Sequence, residues 1–320
     1  MEKTRERLTR KRFRAGNYAI LLLLAGLFLL LTLTSSTFCT YNNLYSLIYG
    51  VSIQFFAIIG FTLLVIMGEI DLAVGSMYGL SGTLVGFCMT VWKWELLPSA
   101  LLVLCLCSIF GYFVGVLVTK FRLNSMMVTL GTLSFVSGIN AVVFNSFPAV
   151  TYDRSYRALA KFKIGDVHWT IIAMILIVIV LELLLKHSSA LKRLYYIGNS
   201  NDTAKLYGIN ADRIKRICFM ISALTAAIGG IVATSRITHS DILTGEGLEF
   251  TLITGLVVAG ASLAGGRGGI LQAALGMIFI AMLSNGMTIY RIDPFIQNVI
   301  QGIVLIVAVF LDVRANRRSI

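Results

Sequence analysis

The stretch Ser52–Val91, SIQFFAIIGFTLLVIMGEIDLAVGSMYGLSGTLVGFCMTV, is apolar almost throughout, yet Glu69 and Asp71 sit near its centre. They are the only acids between Ala15 and Trp92, and no Lys, Arg or His lies in that interval. A membrane helix needs about 20 mostly apolar residues, and the run on each side of the pair is long enough. On one continuous helix the two carboxylates would point apart. Gly68 and Gly75 bracket them, so the stretch is expected to form two membrane helices joined by a break or tight re-entrant turn. Asp71 is then a natural cap for a helix beginning at Leu72. Irregular backbone at depth is tolerated where it lines a cavity or is buried in protein, which makes Glu69 and Asp71 candidates for lining or gating a path. Two plainer readings stand beside it: simple capping, or an ordinary inner-face turn. Such a turn normally carries Lys or Arg, and this one has neither.

The rest of the chain extends the pattern. Of its 320 residues 57% are hydrophobic and only 13% charged, with a mean hydropathy of +0.85. A soluble domain carries about 25% charged residues, so lipid is the solvent for most of this surface. Ten apolar segments are expected to cross: 18–36, 44–67, 72–91, 99–119, 125–143, 169–185, 217–235, 248–264, 269–289 and 294–312. The fold class is therefore an all-α polytopic membrane protein. A basic segment at 1–17 precedes the membrane domain of 18–312, and a tail at 313–320 follows it. With the N-terminus inside, 20 of the 27 Lys and Arg fall on the inner side, which orients both termini to the cytoplasm. The net charge of +12 is concentrated at the ends of apolar runs, with no basic face carrying interleaved aromatics, so nucleic acid is not expected as a partner.

Two polar loops interrupt the apolar pattern, an outer one at 145–168 and a longer inner one at 186–216. The inner loop exceeds what orientation requires and is expected to dock a partner through a short helix, the plainer alternative being a basic loop kept only for topology. Asn201 or Asp202 would cap that helix and Gly208 would stop it.

The chain contains no Gly-Lys dipeptide and hence no phosphate-cradling P-loop. No nucleophile-base constellation or metal-ligand spacing is visible, and none of the three histidines has such spacing. Cys105 and Cys107 lie roughly 200° apart on a helix, which suits neither a disulfide nor a metal. An enzyme is not expected, nor a cofactor in this chain. What remains is polar residues within spans, the usual marks of a pathway: Gln54, Asn140, Ser284 and Asn285, with Gln297, Asn298 and Gln301 in the last span. Each amide has an alternative use in helix-to-helix hydrogen bonding. Together they suit a neutral, hydroxyl-rich solute. Glu182 stands four residues before Lys186, the favourable order for an intrahelical pair. Glu246 and Glu249 flank a helix start, and Arg291 and Asp293 are placed to pair with each other.

The motif GEIDLAVGS (Gly68–Ser76) resembles a signature of the ribose-type sugar permeases, the membrane subunits of ABC importers. VTLGTLSFVSGI (Val128–Ile139), IGNSNDTAKLYGINADRIKR (Ile197–Arg216), GLEFTLITGLVVAGASLAGGRGGI (Gly247–Ile270) and LSNGMTIY (Leu283–Tyr290) continue the resemblance in order. It departs at Ala73, where the family often has serine, and at Gln272 and Ala273, where it often has Gly-Thr. It also departs in EFTLITG and AGASLAGG, which points to an unusual substrate or to one half of a heterodimer. The resemblance implies a ten-span permease in the bacterial cytoplasmic membrane that translocates a monosaccharide or similar polyhydroxylated solute. It implies a second permease copy, a solute-binding protein that delivers substrate, and a separate ATPase subunit that carries ATP and Mg. Asn201, Asp202, Ala204, Lys205, Gly208 and Ile209 would then form the segment that docks on the ATPase. Related permeases carry nucleosides or branched-chain amino acids. A different class, a proton-coupled secondary transporter using Glu69 and Asp71 as its relay, is the alternative. Such carriers usually show an internal repeat, and none is visible.

Overall fold

The computed structural model describes residues 19–146 and 154–317, so the expected basic segment at 1–17, the end of the tail and part of the outer loop lie outside the described residues. The helices in chain order are α1 Ala19–Thr34, α2 Tyr41–Ile66, α3 Val74–Thr90, α4 Leu96–Lys120, α5 Ser125–Asn145, α6 Arg154–Lys161, α7 Trp169–His187, α8 Ser189–Asn199, α9 Asn201–Leu206, α10 Ala211–Ile237, α11 Leu248–Val258, α12 Ile270–Ile289 and α13 Pro294–Arg317. A two-stranded antiparallel hairpin, β1 Lys163–Ile164 and β2 Val167–His168, connects α6 to α7. Seven helices, α2, α4, α5, α7, α10, α12 and α13, are long and apolar enough to cross a membrane.

The segments expected at 18–36, 72–91 and 248–264 form shorter helices. The largest difference is the last. α11 has only 11 residues and stops at Val258. Gly260, Gly265, Gly266 and Gly268 have φ of +90°, +89°, +73° and +146°, a region no α-helix contains. The glycine-rich run that follows α11 is therefore a folded loop.

The core is built around α10, which packs against α2, α3 and α4. Lipid gives no hydrophobic drive to pair helices, so close approach through small residues must do it. Gly60 of α2 lies on the backbone of Ser222, and Gly230 of α10 lies on Tyr78 and Ser81 of α3; a Cβ at either would enter its neighbour. α5 packs on α3, α7 on α2 and α12, and α13 on α11. α2 defines the two ends of the bundle. Near its start Tyr49 donates to the carbonyl of Ala160 in α6 (2.8 Å), while at its finish the Ile66 carbonyl touches Gly198 of α8. The hairpin and α8 thus occupy opposite ends.

Candidate translocation and docking sites

At the α8 end, α2 closes in a Schellman motif. The Gly68 amide donates to Val65 O (2.9 Å) and the Glu69 amide to Leu64 O (3.0 Å), with Gly68 at φ +78°. This left-handed turn favours glycine. The next residues are gripped by two distant helices. Ile70 N donates to Ser125 Oγ and its carbonyl accepts from Thr129 Oγ1, both on α5. Glu69 forms an ion pair with Lys215 of α10, both side chains nearly buried. Asp71, 5% exposed, accepts from Ala73 N (3.1 Å) and from Ser222 Oγ (2.8 Å). The cation missing from the local sequence is thus supplied by α10. The helix expected to begin at Leu72 begins at Val74, because Asp71 turns the backbone at Ala73 first.

The same break receives the glycine-rich loop. Gly266 N donates to Ile66 O (2.8 Å), Tyr195 of α8 donates to Gly268 O (2.8 Å), and Gly68 lies against Ala264 O and Gly265. Gly198 packs on both Ile66 O and Gly266 N, where no side chain would fit.

A second irregular segment lies deeper. After α10 ends at Thr238 (φ +67°), residues 239–247 descend against α3 rather than staying at the bundle end. The carbonyls of Thr244 and Gly245 press on Gly79 and Gly75, and Glu249, in the first turn of α11, packs against Gly75 and is 5% exposed. Asn140 of α5, also 5% exposed, donates from Nδ2 to Ile242 O (3.4 Å), while its Oδ1 is buried with no partner among the described residues. Leu243, on the same segment, is 62% exposed. The arrangement is a half-helix entered by unwound backbone, the kind that forms midplane sites in transporters. The sequence picks out Asn140 as a polar residue within a span, but the expected spans 217–235 and 248–264 leave 236–247 as a plain connection, since no local feature distinguishes a re-entrant stretch from a loop.

The other pathway candidates divide. Gln54 is half-buried at the middle of α2. Asn285 and Asn43 exchange two hydrogen bonds (2.8 and 2.9 Å), joining α12 to the start of α2. Ser284 accepts from Gln301 of α13 (3.0 Å). Glu182 pairs with Lys186 (3.1 Å), as its spacing predicts, and also accepts from Leu271 N at the start of α12. The expected pairing of Arg291 with Asp293 is absent among the described residues: Asp293 instead accepts from Phe295 N (2.8 Å), using its carboxylate on the start of α13.

In the inner loop the short helix exists, but its cap is Ser200, one residue before Asn201; Ser200 Oγ accepts from Thr203 N. Gly208 (φ +72°) ends it in a second Schellman motif, with Gly208 N donating to Lys205 O and Ile209 N to Ala204 O. Asn201, Asp202, Ala204, Lys205, Gly208 and Ile209 all lie in this helix or its stop. Ala204 faces inward at 1% exposure, while Leu206 and Tyr207 are 87% and 79% exposed. Those two apolar side chains, which sequence reading passed over, form the tip of the element.

At the hairpin end, His168 stacks on Tyr49 (3.9 Å between ring centres), its Nδ1 lies 2.6 Å from the Tyr45 hydroxyl, and Arg236 caps the other ring contact at 4.7 Å from the Tyr49 centre. Burial first, then the charges of Lys163 and Arg236, hold the His168 pKa below its usual value.

Comparison with known proteins then adds a second line of observation. The family described as "Branched-chain amino acid transport system / permease component" matches residues 43–309. The chain is 27% identical over 298 residues to the ribose import permease protein RbsC of Escherichia coli (strain K12), covering 92% of this chain and 91% of that protein. It is 30% identical over 292 residues to RbsC of Bacillus subtilis (strain 168), covering 90% of each. It is 29% identical over 300 residues to the L-arabinose transport system permease protein AraH of E. coli (strain K12), covering 92% and 90%. No solved structure matches.

Proposed function

Given that the chain belongs to the family of transport-system permease components, we propose that it is the membrane subunit of an ABC importer for a monosaccharide, pentoses first among them. The observation that carries the sugar assignment is end-to-end similarity to permeases named for ribose and arabinose. The family as a whole is named for branched-chain amino acids, but a family name covers many solutes, and the full-length relatives are the more specific guide. The chain is a transport subunit. Hydrolysis of ATP with Mg belongs to a partner ATPase, and selection of solute to a binding protein on the opposite face.

The detailed reading is a ten-segment bundle in the bacterial inner membrane, with both termini and α8–α9 on the cytoplasmic side and the hairpin outside. The Lys and Arg distribution supports that orientation. Two copies, identical or related, assemble to form the path. α9 docks in the ATPase through Leu206 and Tyr207. The solute passes the segment 239–250, where Asn140 Oδ1, without a partner among the described residues, offers an acceptor to a sugar hydroxyl, and the mid-helix amide of Gln54 offers a second polar contact. Ser284 and Asn285 fix α12 beside this route, and Glu69 and Asp71 close its cytoplasmic end.

Uptake of radiolabelled D-ribose and L-arabinose into cells with and without the gene tests the reading. Uptake that survives collapse of the proton gradient but stops on ATP depletion supports it. Uptake that follows the proton gradient contradicts it.

A further inference from the structure

The α2–α3 break gathers more of the chain than a turn needs. Within Ile66–Ala73 it touches α5 through Ser125 and Thr129, α8 through Gly198, the 259–269 loop through Gly266, and α10 through Lys215 and Ser222. The α10 contacts are spaced to act together. Lys215 and Ser222 are seven residues apart, about two turns, so they share one face of the helix. They hold Glu69 and Asp71 respectively, which in turn lead straight into α3.

The start of α10 is also the continuation of α9. Four residues separate Leu206 from Ala211, and Asn210 caps α10 by accepting from Arg213 N (3.0 Å). One turn further, Arg216 Nε donates to Thr119 Oγ1 at the end of α4 (2.7 Å). A push on α9 therefore arrives first at the stretch carrying Lys215. Helix packing at this point is close: Gly115 of α4 lies on the Arg216 backbone and, about two turns on, Gly60 of α2 lies on that of Ser222, so a Cβ at either glycine would clash. The ion pair is nearly dry, with side-chain exposures of 14% and 12% for Lys215 and Glu69. A dry charge pair holds its geometry, since separation leaves either charge uncompensated.

We propose that the Glu69–Lys215 ion pair is a positioning link that transmits displacement of the docking helix α9 to the α2–α3 break, coupling ATP hydrolysis to movement of α3. The proposal rests on the importer reading above. It assigns Glu69, at the closed cytoplasmic end of the route, to the drive side of the machine, without a binding contact to the solute.

The test uses the permease assembled with its ATPase and binding protein in proteoliposomes, with labelled D-ribose or L-arabinose as the probe and ATP hydrolysis measured on the same sample. Glu69→Gln, which keeps shape and removes charge, and Lys215→Met are each expected to lower sugars moved per ATP about tenfold, within the usual range of site-to-site coupling. The half-saturating sugar concentration and the amount of ATPase retained should not change. Exchanging the charges, Glu69→Lys with Lys215→Glu, should restore most of the ratio, which a solute contact at Glu69 would not allow; a merely structural pair would instead lower Tm and retained ATPase together with the ratio in Glu69→Gln. If the exchange variant fails to assemble, Glu69→Gln decides alone. A normal ratio in Glu69→Gln, or a change confined to the half-saturating concentration, overturns the link while leaving the importer reading standing. Absence of ATP-driven uptake in the unaltered protein overturns both.

Discussion

Gly68 and Gly208 end their helices in the same way. Both have left-handed φ, +78° and +72°, and both close the helix with the same pair of backbone hydrogen bonds. Their surroundings are opposite. Gly68 lies against Ala264 O and Gly265, and the residues after it are held by α5 and α10. Gly208 has nothing near the position of a Cβ, and the residues before it, Leu206 and Tyr207, stand in the open. Backbone geometry alone therefore does not decide what a helix stop does. A stop enclosed by packing is held as a joint inside the bundle, while a stop in the open leaves its tip uncovered.

The sharpest way to break this comparison is to place the same side chain at both glycines. Gly68→Leu should cost about 2–5 kcal/mol, from left-handed backbone strain plus overpacking, and should give little folded protein in detergent melts. Gly208→Leu should lose only about 1–2 kcal/mol, the backbone part. Equal losses would mean that the two sites are not differently packed. Next in size, Ser222→Ala removes a hydroxyl donor from buried Asp71 and should lower stability by about 1–3 kcal/mol, read as a fall in Tm. At the open site the pattern should invert. Leu206→Glu combined with Tyr207→Ser should leave Tm in place but reduce ATPase co-purification about tenfold or more, the scale of an interface hot spot. Full retention of the ATPase would move docking elsewhere.

The smallest effect belongs to the hairpin end, which neither glycine touches. The His168 pKa is lowered in the folded protein, so the folded state binds a proton less readily than the unfolded chain. Its contribution is complete above the ordinary histidine value of about 6.5 and is lost as pH falls below it. Tm should decline modestly from pH 7 to pH 5, and His168→Gln should flatten that decline. An unchanged slope would show that the stack on Tyr49 does not depend on the neutral ring.

Much of the helical plan was legible because lipid imposes long apolar runs with polar ends. The break at Gly68–Asp71 was visible for the same reason: two acids stand out in such a run. Their partners were not visible. Lys215 belongs to a basic cluster that orientation alone explains, and nothing local marks it as the mate of Glu69. The half-length of α11 was hidden because its apolar composition continues through Ala261, Leu263 and Ala264, so hydropathy overran the glycines that end the helix. Asn140, Ser284 and Asn285 were visible as polar groups within apolar spans, but only packing separates an amide tying two helices, as the half-buried Asn285 does to Asn43, from the buried Asn140, whose Oδ1 has no partner among the described residues. Leu206 and Tyr207 escaped notice because an apolar residue in a short loop helix reads as its buried side until Ala204 is seen to occupy that role.

The most direct measurement is to extract the tagged protein from its native membrane in a gentle detergent and identify by mass spectrometry what accompanies it. The expected result is an ATPase subunit bearing a P-loop at stoichiometric amount, lost from the Leu206→Glu, Tyr207→Ser variant and retained by Glu69→Gln. A protein that comes away with no ATPase, from membranes whose sugar uptake collapses with the proton gradient, would contradict the importer reading and return Glu69 and Asp71 to the role of a proton relay.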